Sequence, residues 1–296
     1  MPSESKPHPA VRVRNVLLPL DGSELALRAM PTARALARRL HADLHAVTVA
    51  GGGDAVEHAR ADASSALEVP LRSDRVFVVG EGDPAEVIAR RAETLGSCVV
   101  CLATHGRGRL EGALMGSVAR SVLQRSLDPV VAVGPSADNP GWSPRPRNWP
   151  EPLSVPRVVA CVDGSTASEQ VLPFAAAWAE ALRMSLTVLT VVDDVPAPIS
   201  REDRPSRYGD HPDAQSYIEQ MVQQWSEQLP GTDGVVVRDP HGPAGGVRAH
   251  LSERPAGLVA LTTHARSGMQ RVLGGATAAS IVHASAAPCL VAPVRM

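Results

Sequence analysis

The chain has a single lysine. Lys6, close to its start, is the only one, so nearly all of its 29 basic residues are arginine. A P-loop needs a lysine on the phosphates, and a Schiff-base enzyme needs one in a folded domain. Both classes are excluded. A strong charge of either sign is also missing: the formal net charge is −2. That balance gives no electrostatic reason to expect nucleic acid or an anionic membrane as partner. No apolar run approaches the roughly 18 residues that span a bilayer. The opening "MPSESKPHPA" is polar and broken by proline, without the apolar core of a signal peptide. A cytoplasmic protein with a disordered tail over residues 1–12 is expected. The histidines show no cluster with metal-ligand spacing. Cysteines number four, each in an apolar run. Cys98-Val-Val-Cys101 has a C-x-x-C spacing. On a strand, however, positions i and i+3 point to opposite faces, so these read as buried small hydrophobes.

What is present is a repeat. "VLLPLDGSELALRAMPTARALARRLHADLHAVTV" opens the first half and "VVACVDGSTASEQVLPFAAAWAEALRMSLTVLTV" the second. Asp21-Gly22-Ser23 matches Asp163-Gly164-Ser165 at an offset of 142 residues. Pro84 matches Pro243, and Thr104-His105 matches Thr263-His264, at an offset of 159. The second copy therefore carries 17 extra residues between its second and third strands. The expected organisation is a first domain over 13–134, a proline-rich linker over 135–155, and a second domain over 156–296 with an insertion at about 193–216. The stretch Gly134–Pro156 holds seven prolines and suits an extended spacer. Trp142 and Trp149 within it are expected to pack on a neighbouring domain.

Each copy alternates strand and helix. In the first, strands are expected at Val16–Leu20, Leu44–Val49, Val76–Val79, Ser97–Ala103 and Val130–Val133. One helix runs from the Asp21-Gly22-Ser23 turn to about Leu40, kinked at Pro31. Another covers Asp54–Leu67. A third opens at Asp83-Pro84, and a fourth at Gly116-Ser117. Such alternation means a parallel sheet with helices on both faces. The fold class is α/β, two Rossmann-like domains.

In open parallel sheets, ligands bind beyond the carboxyl ends of the strands, where strand order reverses. The first strand ends at Pro19-Leu20-Asp21 and the fourth at Ala103-Thr104-His105-Gly106. Glycines there permit close backbone approach. Ser117 offers a hydroxyl and backbone N–H groups at a helix start, suited to an anion. Arg107 and Arg109, in Gly106-Arg107-Gly108-Arg109, add positive charge. Asp21 can accept hydrogen bonds from ribose hydroxyls or hold a divalent cation such as Mg. The Asp21-Gly22-Ser23 segment also reads as a plain strand-to-helix turn with its cap. His105 suits a structural or phosphate-adjacent role.

The spacing G-x2-G-x9-G-[S/T] after the fourth strand, together with "PLDGSELA", resembles the universal stress protein family. The likeness covers nearly the whole chain, twice. It implies sheets of order 3-2-1-4-5 and ATP in the crevice. By that resemblance Asp21 meets the ribose or metal side, and Pro19 and the backbone at Val49 meet adenine. Gly106, Gly116, Ser117 and Val118 hold the phosphates. Ala103 stands where the first glycine of the pattern belongs; its methyl is tolerated if φ is negative and costs about 1–2 kcal/mol if positive. The second copy has Asp163 and Val191 in place, but Thr262, Ala265 and Gly275-Ala276 stand at the loop positions. The second glycine and the serine hydroxyl are lost there, so the second site should be the weaker. The resemblance also implies that fifth strands meet at an interface. The two copies should pair within one chain, and two chains should form a homodimer. A regulatory ATP-binding protein of the stress response is the reading this supports. Slow ATP hydrolysis, an ATP-using enzyme, or a dimerisation module without nucleotide remain open alternatives.

Overall fold

The computed structural model describes residues 10–70, 73–105, 115–137, 156–192, 213–262 and 276–294. In the first repeat the order is β1 (Asn15–Pro19), α1 (Glu24–Leu27), α2 (Met30–Leu40), β2 (Asp43–Val49), α3 (Asp54–Leu67), β3 (Val76–Val79), α4 (Pro84–Leu95), β4 (Cys98–Ala103), α5 (Ser117–Arg125) and β5 (Val130–Val133). The second repeat has β6 (Arg157–Cys161), α6 (Thr166–Glu169), α7 (Val171–Leu182), β7 (Ser185–Val192), α8 (Ala214–Ser226), β8 (Asp233–Arg238), α9 (Pro243–Glu253), β9 (Leu258–Thr262), α10 (Ala276–Ala284) and β10 (Cys289–Ala292).

All ten strands form one sheet, in the order β3-β2-β1-β4-β5-β10-β9-β6-β7-β8. Each repeat supplies five parallel strands in the order 3-2-1-4-5. The halves join where β5 and β10 run antiparallel, with Leu290 opposite Val131. The fifth strands are thus central and satisfy each other's backbone groups, which removes two exposed edges.

Alternation along the strands explains the two layers of core. Val16 and Leu18 of β1 pack in one apolar cluster with Leu36, Trp178 and Tyr217. Leu17 faces the other way, with Leu102, Val122 and Leu251. Each cluster runs through both repeats. A strand buried on both faces must be apolar at every position, hence the continuous runs. Cys101 lies in the first cluster and Cys98 packs against the second. All four thiols are free. Burial pushes those of Cys98, Cys161 and Cys289 up to about 12, which keeps them protonated and unreactive.

The expected single helix after β1 is in fact two. Pro31 has no N–H to give to the carbonyl of Leu27. Arg28 and Ala29 bond instead to Leu25 and Ala26 in a tighter turn, and α2 begins afresh with Pro31 in its first turn. Pro173 does the same between α6 and α7.

The packing can be tested at the junction of the two halves and in acid. Gly134 ends β5 against the last turn of α10, and a Cβ placed on it would lie 2.0 Å from the Val282 carbonyl oxygen. Gly134→Val should therefore cost about 2 kcal/mol or more and lower Tm by several degrees in calorimetry. An unchanged Tm would mean that the junction is loose. The acid test concerns two histidines. His45 and His250 are buried, and both have pKa values held below 6.5. Desolvation is the main cause; Arg91 adds to it at His45, and Arg254 and Arg157 at His250. The unfolded chain then binds more protons than the native one in acid. This contribution to stability is complete above pH 6.5 and is lost as pH falls below it. Urea unfolding at pH 7.5 and 5.5 should show the loss, and His250→Gln should reduce it.

Candidate functional site

The crevice beyond β1 and β4 is built by chain reversals at the strand ends. At the end of β1, Asp21 Oδ1 accepts from the Ser23 N–H at 2.9 Å and from its hydroxyl. Gly22 between them has φ of 77°, open to glycine at no steric cost. Ser23 in turn caps α1, its Oγ accepting from the Ala26 N–H at 3.1 Å. The turn role of this segment is therefore real. The same chain reversal also puts Asp21 on the wall of the crevice.

The exit of β4 and the start of α5 are stitched together. The Gly116 N–H donates to the Thr104 carbonyl at 2.7 Å. A Cβ on Gly116 would stand 3.1 Å from that oxygen, so a side chain here would crowd the strand end. The residue is glycine for close approach, since its φ is −66°. Among the described residues, no side chain caps α5. The first-turn N–H groups of a helix lack partners within it, and Gly116, Ser117, Val118 and Ala119 all line the crevice. Ala103 closes β4 without a positive φ, so its methyl imposes no backbone strain.

The resulting cleft has a volume of about 330 Å³, at the lower end of the range for small-molecule pockets. It brings together Pro19, Asp21, Val49, Ala103, Gly116, Ser117 and Val118. Gly106, Arg107, Gly108 and Arg109 lie outside the described residues, as do the 138–155 part of the linker with Trp142 and Trp149 and the 193–212 part of the insertion. Several walls carry no signal in the sequence. Leu20, Val47, Ile88 and Leu102 form an apolar floor; in sequence they look like any other core positions. Thr48, Pro84, Thr104 and His105 complete the lining. The lining is thus mixed: apolar side chains together with the start of α5, the Thr104 and Ser117 hydroxyls and the His105 imidazole.

The second repeat keeps the turn. Asp163 Oδ1 accepts from the Ser165 N–H at 3.1 Å, and Ser165 caps α6. Beyond the turn it differs. Val191 is buried against α9: its Cγ1 would lie 2.7 Å from a Cβ on Gly246. Its counterpart Val49 lies open in the first cleft. Thr262 is buried at the end of β9. Ala276 begins α10, and Gly275 lies outside the described residues. Among the described residues, no group of three or more His, Cys, Asp or Glu is placed to hold a metal ion. No described helix is long and apolar enough to cross a membrane.

Comparison with known proteins matches this architecture. A putative universal stress protein from Pseudomonas aeruginosa UCBPP-PA14 superimposes with a TM-score of 0.58 at 17% identity, over 95% of this chain and 94% of that one. A universal stress protein from Archaeoglobus fulgidus DSM 4304 gives 0.58 at 18%, over 95% and 98%. A protein of unknown function from Pseudomonas aeruginosa PAO1 gives 0.58 at 16%, over 95% and 93%. At these identities the likeness shows the fold. No curated protein matches the sequence. The model of the universal stress protein family matches twice, over residues 12–134 and 155–293, one match to each five-stranded half. The chain belongs to the universal stress protein family, as a tandem of two such domains.

Proposed function

We propose that this protein binds ATP in the cleft of its first repeat and serves the stress response as a regulator whose nucleotide occupancy sets its state. The observation that carries this reading is the pairing, across one cleft, of an uncapped helix start with an acidic turn. The N-terminal amides of α5, with the Ser117 hydroxyl, suit phosphate oxygens: the backbone dipoles favour negative charge, and the donors lack helical partners. Asp21, across the cleft, suits the ribose hydroxyls or a Mg ion accompanying the phosphates, since hard cations take carboxylate oxygens. The apolar floor with Pro19 and Val49 suits the faces of an adenine ring. The fit is supported by Gly116, whose missing Cβ lets the start of α5 pack directly on the end of β4 and so sets the helix amides at the strand ends.

Each of these groups binds or orients. The Asp21 carboxylate is anchored by Ser23, so it is held in place before a ligand arrives, which reduces the ordering cost of binding. In the second repeat, Ala276 offers no hydroxyl and Val191 is packed away on Gly246, which supports unequal sites.

Calorimetric titration of ATP with Mg into the full chain tests both parts. Asp21→Ala should weaken binding at least tenfold, and Asp163→Ala less than twofold. Ser117→Ala, which installs the second repeat's residue, should cost about 1 kcal/mol, roughly a fivefold loss. Equal losses from the two aspartate variants would refute the inequality. No saturable heat in the unaltered protein would refute the ATP reading itself.

A further inference from the structure

We propose that His283, a residue of the second repeat, is a positioning residue for the first repeat's cleft, and that helix α10 senses through it whether that cleft is filled. The inference rests on the nucleotide reading above only for its choice of probe.

His105 lines the cleft beside Gly116 and Ser117. Its Nδ1 lies 3.0 Å from the Thr104 hydroxyl, and the Thr104 carbonyl holds the Gly116 N–H. The imidazole is therefore tied to the two elements that would meet a phosphate. Its ring also touches the other repeat. The rings of His105 and His283 are 5.8 Å apart between centroids and inclined by 69°, an edge-to-face contact within the range favoured by aromatic pairs. His283 belongs to the last turn of α10, and its Nδ1 is buried without a hydrogen-bond partner among the described residues. The imidazole is half-buried, and with this nitrogen unpaired its contact with His105 has leverage over its position.

The backbone around this contact is stiff. Gly134 packs on the Val282 carbonyl in the same turn of α10, and β10 is paired with β5 just beyond. The opposite end of α10 starts at Ala276, the counterpart of Ser117. This helix of nine residues, about 13 Å long, belongs to the second repeat and brings its His283 to the wall of the first repeat's cleft. Displacement of His105 by a ligand has a continuous packed route into the second repeat, which is the physical requirement for coupling between sites. Gln124 holds the corresponding position in α5, so the pair is not a simple product of duplication.

Side-chain nitrogens of 15N-histidine-labelled full chain report on this directly, with His105→Gln and His283→Gln assigning the two rings. Addition of ATP with Mg should shift both rings, and in His105→Gln it should no longer shift His283. His283→Gln should weaken ATP three- to tenfold with Tm unchanged, and His283→Phe, which keeps an aromatic edge, should restore affinity to within twofold. Shifts at His105 without shifts at His283, or an unchanged Kd in His283→Gln, would overturn the coupling and leave the ATP reading intact. No shift at either ring would sink the ATP reading. The contact would then be judged in the ligand-free protein: His105→Gln must move the His283 nitrogens, and failure to do so would overturn it.

Discussion

The placement of β1 between β2 and β4 is the constraint on which the rest depends. Asn15 is in register with Asp43 on one side and with Cys98 on the other. The chain leaves β1 for a helix on one face of the sheet and leaves β4 for a helix on the other. The carboxyl ends of these two strands therefore bound a gap that no crossover covers. Continuous burial of Val16, Leu17 and Leu18 makes the register rigid. Polar residues are displaced to the strand ends, and this is where Asp21, Thr104 and His105 stand. The cleft is thus a by-product of topology, and its chemistry is set by the residues just past the end of each strand.

Much of this is readable in the residues. Val76–Val79, Val130–Val133 and Asp54–Leu67 have the same bounds in sequence and structure, because short apolar runs between turn residues admit little else. The sequence puts the break in the first helix at Pro31, whereas the backbone departs at Arg28 and Ala29; the missing N–H acts on the carbonyl four residues earlier. The apolar floor of the cleft cannot be told from core, since Leu20 and Ile88 differ from their neighbours only in what they face. The contact of His105 with His283 joins distant segments and has no local signature. The resemblance implies that the fifth strands of the two copies meet, and the structure gives the form of the meeting, an antiparallel pairing of β5 with β10.

Duplication retained the scaffold more faithfully than the cleft. Asp163 and Ser165 repeat the hydrogen bonds of Asp21 and Ser23 nearly atom for atom, because that turn is needed to start a helix whether or not anything binds. The copies diverge at Val191, which packs on Gly246 where Val49 faces the cleft, and at Ala276, which stands in place of Ser117. Helix α10 of the second repeat stands against the first cleft, at the centre of the fused sheet.

Amide hydrogen exchange at the start of α5 tests the central claim most directly. If the cleft seats a triphosphate, ATP with Mg slows exchange at Ser117, Val118 and Ala119, with little change at Thr277 and Ala278 in α10. Protection confined to other elements, or none at the α5 start under saturating ATP, would contradict the account.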